Sequence, residues 1–482
     1  MNSRSLLFIA IGLISIILTS SFIIYELGFI RSSVPSGAAP STKPQPTPTP
    51  APTLITTPGT SSGALWQRPI ENFATTLAVD DGKVFTTDNS GNINCFDSQN
   101  GKSIWNGSIG GFPSYGLEIS GSQVYVGFQE RQVGCLDENT GKLLWTFQNE
   151  QAPNRLFKGS PEIIVKDGRV FAITDTVSAH NATTGELLWE AVATWSGNSN
   201  STWSMSAFPL KGDPFDGNYV YETGGYYSSM HFYKLNMDNG QVLWSSSVTW
   251  DATVLTFGLD YSIYAPQVLT TIQGQVIIEK AENILSTLPT VNQIFSLDAN
   301  TGQKLWGMNV AANIYNPTVY NNLLLFSASD GYFYALNLAD GTIAWKTKVD
   351  TQNLFSFANS TMYLLSPNFQ IDSKDQRLLW SFAVKQGDSP GNYTATLCNL
   401  NLANGNMIWT KQIEEKWADA PRAGLAFNND RIFLTGNRAL WIFNASTGDF
   451  VQSQQFDHYV LEPIVLDNKT FVVGDLKLAA YV

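Results

Sequence analysis

The segment CLDENTGKLLW (Cys135–Trp145) decides the fold, because it returns along the chain. It comes back as CFDSQNGKSIW (Cys95–Trp105), SLDANTGQKLW (Ser296–Trp306) and ALNLADGTIAW (Ala335–Trp345). Looser copies are AHNATTGELLW (Ala179–Trp189), KLNMDNGQVLW (Lys234–Trp244) and NLNLANGNMIW (Asn399–Trp409). An eighth copy, IFNASTGDFVQ (Ile442–Gln452), has glutamine in place of the tryptophan. Self-similarity of this kind marks a repeat architecture.

Each repeated position has a mechanical role. The Asp or Asn at the third place (Asp97, Asp137, Asn181, Asn236, Asp298, Asn337, Asn401, Asn444) can bond nearby backbone donors and organise a turn. The glycine four residues later, as in Gly101 or Gly240, supplies the positive φ that a tight turn needs. The tryptophan would bury a large ring between neighbouring sheets. Upstream of many copies stands a further hairpin signal, such as AVDDGKVF (Ala78–Phe85) or IVKDGRVFA (Ile164–Ala172). Apolar residues alternate with period two and glycine is frequent, which excludes helical repeats. Each unit therefore reads as four antiparallel strands, one blade of an all-β propeller.

The ends complete the pattern. ALWQRP (Ala64–Pro69) reads as a lone outer strand with Trp66 at the tryptophan place, and Glu462–Val482 as three inner strands lacking a fourth. Pairing them would close the ring and remove free edges. Eight complete cycles and one split cycle can be counted. The blades resemble those of the pyrroloquinoline-quinone-like (PQQ-like) repeat family over essentially Gly63–Val482. That family usually builds eight blades, so eight are expected, with nine as the alternative. The long cycle ending at Trp409 is the one expected not to be a true blade.

Composition narrows the function. Forty acidic residues against 28 basic give a net charge of −12, which argues against a nucleic-acid partner. Residues 5–25 carry no charge and are long enough to span a bilayer, so residues 1–31 read as an uncleaved signal anchor, with cleavage as the alternative. Residues 32–62, with PQPTPTPAPT, read as a Pro/Thr/Ser-rich stalk. Residues 63–482 form the propeller, expected on the extracytoplasmic side of the membrane. Seven N-x-S/T sequons, beginning at Asn106, Asn181, Asn200, Asn359, Asn392, Asn444 and Asn468, would suit glycosylation there.

By strand parity the first-to-second and third-to-fourth turns of every blade share one face. The second-to-third loops and the connections between blades share the other, and all the long insertions fall there. These insertions carry Trp195, Trp203, Phe208, Tyr226, Tyr227, Trp250, Tyr261 and Tyr264. Such rings can anchor a partner, or pack beneath their own loops. Charges at the starts of innermost strands, Glu162, Arg422 and Glu462, are expected at the channel mouth. They could hold an ion or small polar ligand, or form salt bridges in the channel.

The resemblance raises a quinone-dependent oxidoreductase, because family members that hold the quinone have a vicinal cysteine pair, calcium-binding acids and an aspartate base. Here Cys95, Cys135 and Cys398 stand apart, with Cys95 and Cys135 at one repeat position as buried small residues; one disulfide remains open. No cofactor or metal is expected. His180 falls on a repeat strand as a framework residue, and no G-x-S-x-G elbow is present. The repeats are also similar to those of outer-membrane barrel-assembly propeller lipoproteins, except that those carry a lipidated cysteine. The reading is a non-enzymatic binding or assembly scaffold for an envelope protein or glycan. Its alternative is a quinone- and calcium-dependent enzyme, or another enzyme with its site at the channel mouth.

Overall fold

The computed structural model describes Thr53–Ile55 and most of residues 63–482. Residues 1–52 and 56–62 lie outside the description, as do, chiefly, 149–161, 192–214, 250–266, 283–290, 349–363, 386–392 and 414–423. The anchor and most of the stalk fall on these residues. No helix among the described residues is long and apolar enough to cross a membrane.

The described residues form nine sheets of four antiparallel strands, one of them extended by a fifth strand. In chain order the blades run Ala74–Ser108, Pro113–Gln148, Glu162–Ala191, Phe215–Thr249, Gln267–Val310, Ile314–Lys348, Leu364–Ile413 and Gly424–Gln455. Blade 9 joins Ile464–Leu466, Lys469–Gly474 and Lys477–Tyr481 to the N-terminal Trp66–Pro69, which pairs antiparallel with Lys477–Tyr481. The split closure is as the sequence suggests, and the expectation of eight blades is corrected to nine. The suspect cycle is a true blade, with strands Leu364–Asp372, Arg377–Lys385, Tyr393–Asn401 and Met407–Ile413. Its first turn, residues 373–376, lacks the D-G or N-G signal. There Asp372 accepts the backbone N–H groups of Lys374 and Asp375 instead.

The repeat residues act as their chemistry predicts. Asp97 Oδ1 accepts from the N–H groups of Gln99 and Asn100 at 2.8 and 3.0 Å, Asn181 and Asp298 do likewise in their own turns, and Asn444 accepts from the N–H of Thr447. Each turn presents its glycine to the tryptophan of the preceding blade. Gly240 has φ +69°, and a Cβ there would lie 2.5 Å from the Trp189 ring. At Gly101 a Cβ would lie 2.5 Å from Trp66. The indole N–H then donates to a carbonyl in the same turn: Trp66 to Ser98, Trp105 to Glu138, Trp189 to Met237, Trp306 to Leu338 and Trp409 to Ala445. Tryptophan and glycine are thus two halves of one staple between consecutive blades.

This explains the degenerate copy. Blade 9 takes its third strand from the C-terminus and its fourth from the N-terminal segment, so it has no third-to-fourth turn and no glycine to receive a ring. Blade 8 accordingly carries Gln452, whose side-chain amide lies against Gly63 of the arriving N-terminal segment.

The apolar core is a series of layers between blades. One joins Phe171 and Trp189 of blade 3 to Phe215 and Val220 of blade 4. Another joins Trp66 and Phe471 of blade 9 to Val84 and Phe96 of blade 1, closing the ring.

Candidate functional site

The two faces differ because the strand connections differ. On one face the first-to-second turns are two residues long, four in blade 7, and the third-to-fourth turns span five, as in residues 98–102. All the undescribed connections of eight or more residues join strand ends on the opposite face. The expected segregation of long insertions is therefore what the strand order produces.

The short-turn face carries clasps between several neighbouring blades that sequence reading missed. The first residue of a second strand reaches the third-to-fourth turn of the next blade. Lys83 Nζ bonds Glu138 Oε1 at 2.7 Å, Arg169 bonds Asp238, and Lys469 bonds Gln99. Arg431 donates to the C-terminal Val482 carbonyl. Burial works against the Lys83 ammonium, but the hydrogen bond and charge of Glu138 outweigh it and raise its pKa. Arg377 is the most enclosed, bonding Asp372 at 2.6 Å, Asp375 at 2.8 Å and Asp430 at 3.1 Å, with Ser446 at 2.9 Å. The signal was present as Lys or Arg after D-G in AVDDGKVF and IVKDGRVFA. The acceptor lies one blade on, where no local pattern reveals it.

On the face of the long connections, the described frame carries two side-chain hydrogen-bond sites. Asp88, at the end of the second strand of blade 1, is buried and accepts from the N–H groups of Ser90 and Asn92 and from the amides of Asn92 and Asn72. Burial alone would raise its pKa; the four donors outweigh it and hold the carboxyl below its ordinary value. At the channel mouth the Asn368 amide of blade 7 donates to Glu462 Oε1 of blade 9 at 2.6 Å. The bond spans the entry to blade 8, whose first strand opens with Gly424. A Cβ there would lie 2.6 Å from Glu462 Cα and 2.7 Å from Pro463 Cδ. The Glu462 carboxyl is open to solvent yet ringed by protein. Lost hydration raises its pKa above the ordinary value, and the Asn368 bond opposes the shift.

Of the other predicted site residues, Trp195, Trp203, Tyr227, Trp250, Tyr261, Tyr264 and Arg422 lie outside the described residues, as does Phe208. Glu162 opens the first strand of blade 3 and Tyr226 ends the second strand of blade 4, both at the face of the long connections, but their side chains are outside the description. Glu462 is thus the one predicted residue whose side chain is placed, and its partner is Asn368.

The other candidates for chemistry are built into the framework. Cys95, Cys135 and Cys398 are free and buried, and burial pushes each thiol up to about 12. His180 stacks on Phe147 with ring centroids 3.5 Å apart, and its ring nitrogens lie 3.0 Å from Ser178 Oγ and 3.2 Å from the Gly185 carbonyl. Burial lowers its pKa. The described residues contain no group of three or more His, Cys, Asp or Glu able to hold a metal ion. The cysteines are neither adjacent nor at the channel, so the residues present do not fit the vicinal cysteine pair that the quinone reading requires. In the native protein at pH 8 all three thiols should resist an aromatic disulfide reagent, and three equivalents should react after unfolding; thiol absorbance titration checks both.

A family model described as "Outer membrane protein assembly factor BamB" matches residues 55–263, 232–370 and 394–481. The chain belongs to this family. Among curated proteins, the family's outer membrane protein assembly factor BamB from Shewanella oneidensis is 22% identical over 326 residues, 58% of this chain and 78% of that protein. The quinohemoprotein alcohol dehydrogenase ADH IIB of Pseudomonas putida is 24% identical over 257 residues, covering 40% of this chain and 37% of the enzyme. Among solved structures, Saccharomyces cerevisiae Sqt1 aligns over 88% of this chain and 99% of its own with TM-score 0.50 at 13% identity. That last likeness is one of fold alone.

Proposed function

We propose that the protein is a non-enzymatic binding or assembly scaffold, anchored in a membrane by residues 5–25, that holds an envelope protein or glycan on the face of the long connections. One observation carries the reading. The strand ends joined by every undescribed connection of eight or more residues lie on one face of a scaffold whose other face has short turns and interblade clasps, and several of those connections are rich in aromatic residues in the sequence. Loops on a rigid frame are where recognition concentrates, and tyrosine and tryptophan provide contact area at small entropic cost. Membership of a family described as an outer membrane protein assembly factor supports a scaffold over a catalyst.

The test pairs two experiments. Titration with pyrroloquinoline quinone and calcium should give no saturable absorbance change and no dye-linked oxidation of alcohols or sugars. Saturable turnover would replace the scaffold reading with the oxidoreductase. Changing Trp203, Trp250, Tyr261 and Tyr264 together to serine should lower partner or glycan retention at least tenfold while leaving the unfolding midpoint in place. Undiminished retention would remove these rings from the binding surface.

A further inference from the structure

Four of the N-x-S/T sequons fall on described residues, and two of them belong to the repeat itself. Asn181 and Asn444 stand at the third place of the motif, where each side-chain oxygen accepts from the backbone of its own turn. The Asn444 amide also donates to Asp430 Oδ2 at 2.9 Å. Asn106 lies on the outer strand of blade 1, where exposed polar residues are ordinary, as at Thr146 and Lys346 of other blades.

The fourth, Asn468-Lys469-Thr470, departs from the repeat. Thr470 is the second residue of the second strand of blade 9. At that place the other eight blades carry valine, leucine or isoleucine, from Val84 in blade 1 to Ile432 in blade 8, each at most 1% exposed. Thr470 is as deeply buried, at 0%. Threonine has the shape of valine, but its hydroxyl must leave water, so the exchange is not neutral. The hydroxyl meets the Asn428 amide of blade 8 at 3.4 Å, longer than a usual hydrogen bond. The fold therefore gains little from it. The sequon depends on it, because the motif requires a hydroxyl two places after the asparagine.

Asn468 is placed to carry a sugar. It is exposed at the two-residue turn between the first and second strands of blade 9, and its side chain makes no hydrogen bond among the described residues. The left-handed residue of that turn is Asp467, with φ +52°, so Asn468 is not there to supply that conformation.

We propose that Asn468 is an N-glycosylation site and that Thr470 is kept for it. Transfer joins Nδ2 to the anomeric carbon of a lipid-linked oligosaccharide. The bond from that carbon to the lipid phosphate oxygen breaks, the phosphate leaves with the electron pair, and Nδ2 gives up one proton to a base of the transferase. Thr470 is enclosed once blade 9 has formed, so transfer precedes that step. In the folded protein the sugar stands on the short-turn face, beside the clasp of Lys469 to Gln99, and adds bulk to the face away from the long connections. The proposal rests on the extracytoplasmic placement of the propeller but on no partner, so it and the binding reading fail separately.

Peptide mass spectrometry of the full chain from its own cell envelope gives the test. The peptide holding Asn468 should carry a sugar increment that is lost in Asn468→Gln and in Thr470→Val and kept in Thr470→Ser. Thr470→Val restores the aliphatic residue of the other blades, so its unfolding midpoint should equal or exceed that of Asn468→Gln, which lacks the sugar as well. A lower midpoint would make the hydroxyl a structural donor and overturn its assignment to the sequon. An increment that survives Thr470→Val would overturn the proposal, as would an unmodified Asn468 in a propeller that protease protection places outside the cytoplasmic membrane. An unmodified propeller found inside that membrane would overturn the proposal together with the extracytoplasmic placement.

Discussion

Trp306→Ala is expected to destabilise the propeller by about 3–5 kcal/mol, the usual cost of truncating a buried aromatic residue. Trp306 is 8% exposed and packs with Ile294, Leu324 and Leu336 between blades 5 and 6. Its indole N–H donates to Leu338 O at 2.8 Å, and its ring lies over Gly341. Truncation removes the ring, the bond and the cover over the next turn together. Trp345, at the same repeat place in blade 6, is less enclosed, and its indole nitrogen has no acceptor among the described residues. Its alanine variant should cost roughly 1–2 kcal/mol less, because no made bond is lost and less area returns to water. The glycine side completes the test. Gly341 has φ +71°, so Gly341→Ala pays for a left-handed alanine, about 1–2 kcal/mol, and also for a Cβ driven into the Trp306 ring. In the double variant the collision disappears and only the backbone cost remains. Urea midpoints of the four proteins should therefore give a coupling of at least 1 kcal/mol between the sites. Simple additivity would mean that tryptophan and glycine are not halves of one staple.

Arg377→Leu is expected to cost about 3–5 kcal/mol at pH 7, because it leaves a buried carboxylate without its cation. The side chains of Arg377 and Asp372 are 7% and 5% exposed, so neither is well served by water. Arg377 also ties blade 7 to Asp430 and Ser446 of blade 8. The effect should depend on pH in a defined sense. Burial alone would raise the Asp430 pKa, but bonds from Ser446, Arg377 and Asn444, with the charge of Arg377, outweigh it and lower it. A carboxylate with a depressed native pKa contributes stability above its unfolded pKa and loses it as pH falls through the native value. The gap between wild type and Arg377→Leu should therefore narrow below about pH 4. Denaturation midpoints at pH 7 and pH 3 check this, and a gap independent of pH would deny Asp430 its part in the network.

The architecture was legible because its determinants are local and repeated. A turn acidic residue, a glycine and a tryptophan at fixed spacing define a blade wherever they occur, and the split blade could be read from Trp66 and the C-terminal strands. The blade count was missed because family habit was set above the count itself. The long cycle also hides its first turn in SKDQ (residues 373–376), whose neighbours Asp372 and Arg377 bond only after folding. The clasps and the Asn368–Glu462 contact were not legible for a related reason: each joins residues of different blades, and the repeat states only where a residue sits in its own blade. The parallel addition of Thr53–Ile55 to the outer strand of blade 7 escaped because three residues within a Pro/Thr-rich stretch carry no strand signal of their own. The aromatic residues of the long connections remain a proposal carried by topology.

The central claim, that partners are held on one face only, is best tested by photocrosslinking within the native envelope from both faces in parallel. A benzophenone side chain would replace Trp203 or Tyr261 in the long connections, and Asn100 or Thr301 on the short-turn face. Discrete adducts from Trp203 and Tyr261, with none from Asn100 and Thr301, are the predicted result. Adducts from the short-turn positions alone would contradict it and move the binding surface to the opposite side of the propeller.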